Sequence, residues 1–539
     1  MTELPYRRAE AFAGFACCAV LSLAAGVWSW QHGAMLNYGD AVAHLAIARR
    51  VIDSHYPGLK QLGSVWLPLP HLLMIPFVAK YSWWADGIAG MIPSATAYVL
   101  GCLGIYRLAR QWLSPWAAVV ALIFFAINPN LLYLQTTAMT EPLFLCELIW
   151  TAVWLVEWRS GLDAHPQRSG RLLWLIALVL VAAVYTRYDG WILALLAWTA
   201  VGVTLLRRGE LRSVAFWTAS IIVVAAPLVW FAYNASVFGD WLDFARGPYS
   251  ARAIEMRTAT PGSGPPHPGW HDPWVSLLFF VRTAEIDASA ELWGNRMLAL
   301  SVLGTVLGCL MARRRAFLWT LLLWLPVPFY AYSIAYSSVP IFIPKWWPHS
   351  WYNTRYGMEL LPAFALSFGF VAHFVLAAVR DFKPQWAKYA AGLLAALAVW
   401  NAWKVTAEKP LTYIEGTKNI EARRPLEEQI PPLLRGLLAS RPGATVLMKT
   451  SVYPNLVAFT GIPQRQTLNE GDGDLYAAAL AAPASHAAVV VAFDGDEIDR
   501  AVKAHPEGLT AVGRYTAPRQ PVGTVYVSDT SARQEPRKR

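Results

Sequence analysis

Charged side chains are scarce in this sequence. They make up 15% of its 539 residues, against about 25% in ordinary soluble domains. So few solvating groups exclude a string of water-exposed globular domains over most of the length. They equally exclude a disordered chain, which needs high charge and little apolar surface. Cysteine is sparse too. All five (Cys17, Cys18, Cys102, Cys146 and Cys309) lie inside apolar runs, with neither metal-ligand spacing nor a bridge framework. No repeat recurs at a fixed period, which removes solenoids and propellers.

What is abundant is apolar and aromatic. Hydrophobic residues reach 56%, with 27 Trp and 22 Tyr, and the mean hydropathy is +0.35. Uncharged runs near 20 residues recur, the length a helix needs to cross hydrocarbon. The net charge of +10 would suit a nucleic-acid partner. The basic residues instead fall in small clusters between the apolar runs, so nucleic acid is excluded. The expectation is a polytopic α-helical membrane protein.

Eleven spans are expected, at about 11–30, 86–106, 115–134, 140–158, 171–187, 190–206, 213–233, 293–312, 316–336, 358–379 and 386–404. The first has a short basic flank (Arg7, Arg8) but no small-residue cleavage site before Trp28 and Trp30, so it reads as a retained anchor. A shorter apolar stretch at 66–80, with three prolines, reads as interfacial or re-entrant. Orientation follows from the basic clusters. A cytoplasmic N-terminus puts Arg7/Arg8, Arg107/Arg110, Arg159/Arg168/Arg171, Arg207/Arg208/Arg212, Arg313–Arg315 and Arg380/Lys383/Lys388 on one side. The opposite face still carries Arg49, Arg50, Lys60, Lys80, Arg246, Arg252 and Arg257. Two long loops, 31–85 and 234–292, then lie outside, and an odd span count places the C-terminal part outside as well. Residues 1–404 form the membrane domain. Residues 405–532 read as a small extracytoplasmic α/β domain, with β-type runs at 444–449, 487–493 and 522–528, followed by a disordered tail at 533–539.

Ionisable groups beside a bilayer cost several kcal/mol unless they meet water or a partner, so each is a functional candidate. Four outer-side segments stand out. NYGDAVAHLAIARR (37–50) sets Asp40 and His44 four apart, on one face if helical. TTAMTEPLF (136–144) puts Glu141 at the head of a span. YTRYDGW (185–191) carries Arg187, Tyr188 and Asp189 in a tight turn. KWWPHSWYNTRYGMELLP (345–362) carries Lys345, His349, Tyr352, Arg355 and Glu359. Plainer readings exist for several. Glu141 before Pro142 suits a helix start, Arg187 with Asp189 suits a turn ion pair, and His44 suits a structural hydrogen bond. Asp40 has the weakest such alternative. Together these groups suit removing a proton from an acceptor while arginines hold a lipid phosphate, with Trp and Tyr at the wet edge of the membrane.

These segments, together with GSVWLPLPHLL (63–73), FGDWLDFARGPYSA (238–251) and NTRYGMELLPAFAL (353–366), resemble the GT-C superfamily of polyprenyl-phosphate-dependent glycosyltransferases. That superfamily includes protein O-mannosyltransferases and the lipid A aminoarabinose transferase. The resemblance covers most of 1–404 in layout. It implies an integral-membrane inverting glycosyltransferase that moves a sugar from a polyprenyl-phosphate donor to a lipid, glycan or protein acceptor. Asp40 is then the general base, with Glu141 the second catalytic carboxylate. His44, Arg187, Tyr188, Tyr249, Lys345, His349, Tyr352 and Arg355 are then the substrate and phosphate-binding groups. Many mannosyltransferase relatives carry an adjacent acidic pair where this chain has Asp40-Ala41. In oligosaccharyltransferase relatives a divalent metal is held by the first-loop Asp and a second-loop acidic motif, which here implies Asp40 and Glu141 if a metal is bound. The mobile loop 238–257, continuing through the Pro/Gly-rich 260–270, is expected to close over the sugar.

Two acidic clusters in the C-terminal domain, GDGD (471–474) and FDGDEIDR (493–500), look like metal loops; helix capping accounts better for Asp494. His267 and His271 sit at ligand-like spacing in a proline-rich loop, a weak zinc signal. The competing functions are a polyprenyl-lipid flippase or transporter, for which paired repeats are missing, and a non-catalytic subunit of a glycan assembly complex. An Ala-rich, Arg-over-Lys composition points to a bacterial inner membrane.

Overall fold

The computed structural model describes residues 8–162, 166–258, 265–290, 293–311 and 315–529. Arg7, Arg313, Arg314, loop residues 260–264 and the tail 533–539 lie outside the described residues, as do the side chains of Arg8, Arg168, Arg257 and Arg315. Among the described residues, eight helical stretches are long and apolar enough to cross a membrane. They are Phe12–Gln31, Ile88–Ala109, Ser169–Thr186, Asp189–Arg207, Val214–Phe238, Phe317–Tyr336, Thr354–Phe382 and Pro384–Ala439. The chain is therefore an integral, polytopic α-helical membrane protein.

The other three expected spans differ for physical reasons. The stretch at 115–134 is two helices, Pro115–Ala126 and Pro129–Leu134. Pro129 disfavours helical geometry at Asn128, whose side chain instead caps the second helix by accepting from the amides of Asn130 (3.0 Å) and Leu131 (3.1 Å). Twelve residues reach only about 18 Å at 1.5 Å per residue, short of a hydrocarbon core of about 30 Å. The helix Glu141–Gly161 has the length but carries Glu141, Glu147, Glu157 and Arg159. The region 293–312 is a shorter apolar helix, Arg296–Met311. The prolyl stretch at 66–80 forms the ten-residue helix Leu69–Val78.

The chain divides into two compact units. One comprises Met1–Ser29, Ser64–Pro70 and Pro93–Glu415; the other comprises Trp30–Gly63, His71–Ile92 and Gly416–Arg539. Small residues bring helices of the first unit into backbone contact. A Cβ on Gly304 would lie 2.1 Å from the carbonyl oxygen of Ser367, and the hydroxyls of Thr305 and Ser367 are 2.9 Å apart beside it.

The second unit contains a five-stranded sheet. Its strands are β1 (Val446–Met448), β2 (Thr467–Leu468), β3 (Val489–Phe493), β4 (Leu509–Tyr515) and β5 (Gly523–Ser528), in the order β2-β1-β3-β5-β4. β1 pairs in parallel with β2 and β3; β5 pairs antiparallel with β3 and β4. Every residue of β1 and β3 is buried, which is why both read as unbroken apolar runs. Leu447, Val490, Ala492, Ile498 and Val502 form part of the core on one face. β2 and β4 were not expected. The first is two residues long, and the second is a largely exposed edge strand whose register shifts between Ala511 and Gly513. The segment 30–63 is bound into this unit by Asp53, which pairs with Arg49 at 2.7 Å and accepts from the amide of Gln464 at 3.1 Å.

The capping residue of FDGDEIDR is Asp496 rather than Asp494. Its carboxylate accepts from the amides of Asp499 (2.6 Å) and Phe493 (3.1 Å), starting the helix Glu497–Ala504. Asp496→Ala should therefore cost about 1 kcal/mol and loosen amide protection across 497–504 in hydrogen exchange, whereas Asp494→Ala should leave that protection unchanged.

Candidate functional site

Three short sequence features set up the site in the first unit. In Thr140-Glu141-Pro142, proline occupies the first helical turn, so Glu141 stands at the N-terminal end of the helix Glu141–Gly161. In Thr186-Arg187-Tyr188-Asp189-Gly190, one helix ends at Thr186 and the next begins at Asp189. That turn closes only over glycine, because a Cβ at Gly190 would lie 2.1 Å from the carbonyl oxygen of Ala183. In Asn353-Thr354-Arg355-Tyr356-Gly357, Asn353 takes a left-handed φ of 53° and leads into the 3-10 turn Thr354–Leu360. Gly357 lies where a Cβ would meet the Asp287 carboxylate at 2.6 Å.

These features place a network of charge inside the apolar body. Arg187, 14% exposed, is engaged through all three of its nitrogens. Nε meets Asp189 at 3.2 Å, Nη1 meets Glu141 and Thr140 at 3.1 Å, and Nη2 meets Glu359 at 3.1 Å and the Tyr330 hydroxyl at 2.8 Å. Tyr330 in turn donates to Glu359 at 2.6 Å. Arg355 shares the same Glu141 oxygen at 3.0 Å and reaches Glu415 at 2.8 Å. Glu415 also accepts from the amides of Asn353 and Thr354, both at 2.9 Å, so it caps the start of the helical stretch that carries Arg355. The Tyr356 ring lies 4.9 Å from the Arg187 guanidinium and 5.0 Å from that of Arg355, a cation–π position for both. Tyr330 stacks between Tyr356 and Phe280, with centroids 5.2 and 4.7 Å away.

Beside this network, across Gly357, lies Asp287, on the helix Pro273–Ala288 outside the candidate spans. Both of its carboxylate oxygens are sealed from solvent and lack a donor among the described residues. Burial, reinforced by the charge of Glu415, pushes its pKa well above the usual carboxylate range. Its backbone carbonyl accepts from the side-chain amides of Asn128 (2.8 Å) and Asn130 (3.0 Å). The break between the helices Pro115–Ala126 and Pro129–Leu134 thus supplies the donors for this corner.

The structure joins Glu141, Arg187 and Arg355 into one cluster and disposes the other expected site residues differently. Tyr188 turns away from its neighbour Arg187, donates to the carbonyl of Val65 at 2.8 Å and stacks on Phe244. Tyr249 is exposed. Lys345, His349 and Tyr352 are exposed on a loop pinned by the Phe342–Tyr352 bridge, with His349 Nδ1 3.0 Å from the carbonyl of Pro344. In the second unit, Asp40 is half-buried in the first turn of the helix Gly39–Arg50. One turn on, His44 is buried with its Nδ1 2.8 Å from Nε2 of His71. Sequence reasoning gave no role to His71, Tyr330, Asp287 or Glu415, and read Glu359 only as one charge among several.

The plain alternatives for two residues hold as far as they go. Glu141 does sit at a helix start, and Arg187 does pair with Asp189; neither describes the whole arrangement. The residues do not fit a metal. Glu141 is already neutralised by two guanidiniums, and among the described residues no group of three His, Cys, Asp or Glu is placed to hold an ion. No step below is routed through one.

Two solved structures are similar over nearly the whole chain. ArnT from Cupriavidus metallidurans bound to undecaprenyl phosphate matches with a TM-score of 0.57 and 14% identity, over 96% of this chain and 99% of its own. The archaeal oligosaccharyltransferase AglB from Archaeoglobus fulgidus, in complex with an inhibitory peptide and a dolichol-phosphate, matches with a TM-score of 0.51 and 12% identity. That match covers 97% of this chain and 74% of the oligosaccharyltransferase. No protein-family model and no curated protein matches the sequence. The chain shares its overall fold with these two proteins, in line with the resemblance its segments carry.

Removing the shared cation should be severe. Arg187→Ala leaves three carboxyls without their common partner and should cost about 3–5 kcal/mol in thermal unfolding in detergent, while Lys345→Ala, on the surface, should change stability by about 0.5 kcal/mol at most. Asp287 gives a pH-dependent test. Its folded pKa is raised, so above the unfolded carboxyl range each pH unit costs the folded state about 1.4 kcal/mol until the folded pKa is passed. Asp287→Asn is neutral throughout, so its melting temperature relative to wild type should rise between about pH 5 and pH 7.

Proposed function

We propose that the chain is an inverting glycosyltransferase of the membrane, moving a sugar from a polyprenyl-phosphate donor to an acceptor at the extracytoplasmic face. The observation that carries the reading is the near full-length fold likeness to two proteins whose solved structures hold undecaprenyl phosphate and dolichol-phosphate. The first-loop position of Asp40, at the start of a helix, supports it as the general base. Base assistance of this kind contributes typically about 10²–10⁴-fold. His44, held by its hydrogen bond to His71, presents a fixed imidazole one turn along the same helix. The acceptor's proton passes to Asp40, its oxygen attacks the anomeric carbon from the face opposite the phosphate, and the polyprenyl phosphate leaves.

The leaving phosphate needs polar groups that a substrate can reach from the surface. Lys345, His349 and Tyr352, with Tyr249 on the preceding loop, are exposed polar groups suited to that task. A single well-placed donor to the developing charge is worth about 3 kcal/mol. Arg187 and Arg355 act differently in this reading, holding Glu141 and the ends of the spans rather than the phosphate. The basic clusters of the sequence support a cytoplasmic N-terminus, in what the composition suggests is a bacterial inner membrane.

The experiment is transfer in proteoliposomes supplied with undecaprenyl-phosphate-linked sugars. Asp40→Asn should insert and melt as wild type does while losing about 10²–10⁴-fold in transfer rate; undiminished transfer would remove the base assignment. Movement of the lipid-linked sugar across the bilayer with no transfer would favour the flippase.

A further inference from the structure

The buried network has more carboxyls than it can leave ionised. Arg187 and Arg355 face Glu141, Asp189, Glu359 and Glu415. Removing an unpaired anion from water costs several kcal/mol even after relaxation, whereas protonating a carboxyl near neutrality costs about 1.4 kcal/mol for each pH unit above its ordinary pKa. Two negative charges in excess would therefore be relieved locally. Glu415 is relieved by the amides of Asn353 and Thr354 at a helix start, where an anion is favoured. Glu141 lies between two guanidiniums. That leaves Asp189 and Glu359, both beside Arg187.

The hydrogen bonds distinguish these two. Asp189 accepts on both oxygens, from Arg187 Nε at 3.2 Å and from the amide of Gly190 at 3.1 Å, and it opens the helix Asp189–Arg207. Glu359 takes its donors, Tyr330 and Arg187, on Oε1 alone. Its Oε2 is sealed from solvent and has no donor among the described residues, and its carboxyl sits beside that of Asp189, the two being held by Nη2 and Nε of the one Arg187 guanidinium. Two carboxyl oxygens in contact without a hydrogen between them repel; one proton turns the contact into a strong charge-assisted bond.

We propose that Glu359 is a neutral carboxylic acid that donates its proton to the Asp189 carboxylate, and that in this form it is the residue positioning Tyr330 and Arg187. Asp189 is the accepting partner because its oxygens already take two donors and it opens a helix. The groups around Glu359 are then Arg187 and Asp189 from the turn and Tyr330 from the helix Pro326–Tyr336; Tyr356 lies over Arg187 and against Tyr330, and Asp287 lies beside Gly357. The assignment is independent of the reaction proposed above.

Glutamine is the neutral, donor-bearing mimic of a protonated glutamate, so Glu359→Gln decides the matter in the full-length protein in detergent. Glu359→Gln should unfold at the wild-type temperature, while Glu359→Ala and Asp189→Asn should each unfold about 2–8 °C lower. The infrared spectrum of wild type minus Glu359→Gln should show the carbonyl band of one protonated carboxylic acid. A Glu359→Gln midpoint that falls as far as that of Asp189→Asn would overturn the proposal, and so would a difference spectrum showing only a carboxylate band.

Discussion

A guanidinium that cannot surrender its proton, placed inside an apolar body, must be met by anions at whatever distance the backbone has to close. Arg187 is that group. Its partners come from four other places in the sequence: the start of the helix Glu141–Gly161, the start of the helix Asp189–Arg207, Tyr330 within the helix Pro326–Tyr336, and Glu359 in the turn leading to the helix Leu361–Phe382. Glu141 extends the set to Arg355, and Arg355 extends it to Glu415. Segments more than 200 residues apart are thereby tied at one point. The register of each helix is fixed there by electrostatics, where apolar contacts alone would permit sliding.

The close approach of the backbones follows from the same requirement. The turn at Arg187 must be tight enough for its guanidinium and the Asp189 carboxylate to face one another, and Gly190 against Ala183 supplies that tightness. Gly357 lets the Thr354–Leu360 turn lie against the helix Pro273–Ala288, bringing Arg355 and Glu359 inward together. Asn353 with positive φ turns two amides toward Glu415. The glycines and the asparagine are thus part of the electrostatic construction.

Much of the fold was legible because the bilayer imposes a length on apolar runs, and eight of the eleven expected spans correspond to apolar helices of sufficient length. The misreading at 115–134 has a local cause: Asn128-Pro129 interrupts a run that hydropathy averages over. β1, β3 and β5 announced themselves as apolar or alternating runs, while the two-residue β2 and the exposed edge β4 had no pattern to read. At the site, Glu141, Arg187 and Arg355 could be picked out because charge beside a span is conspicuous. Tyr330 could not, since a tyrosine in the aromatic run Pro326–Tyr336 resembles any interfacial residue. Glu415 lies past the last expected span, in a polar-looking helix where one more glutamate attracts no notice. Both were recoverable only from the distances that folding creates.

The network also bears on where substrate chemistry can occur. For a phosphate to bind Arg187, it would have to displace at least one of three carboxyls already within 3.2 Å, and of these only Glu141 has a second guanidinium to fall back on, that of Arg355. The cost of stranding such a group is several kcal/mol, more than a phosphate contact of about 3 kcal/mol returns. Binding there would weaken the arrangement that fixes the helices. In a body this apolar, the charge that ties the helices together is therefore costly to lend to a ligand, because each group that Arg187 releases needs another partner.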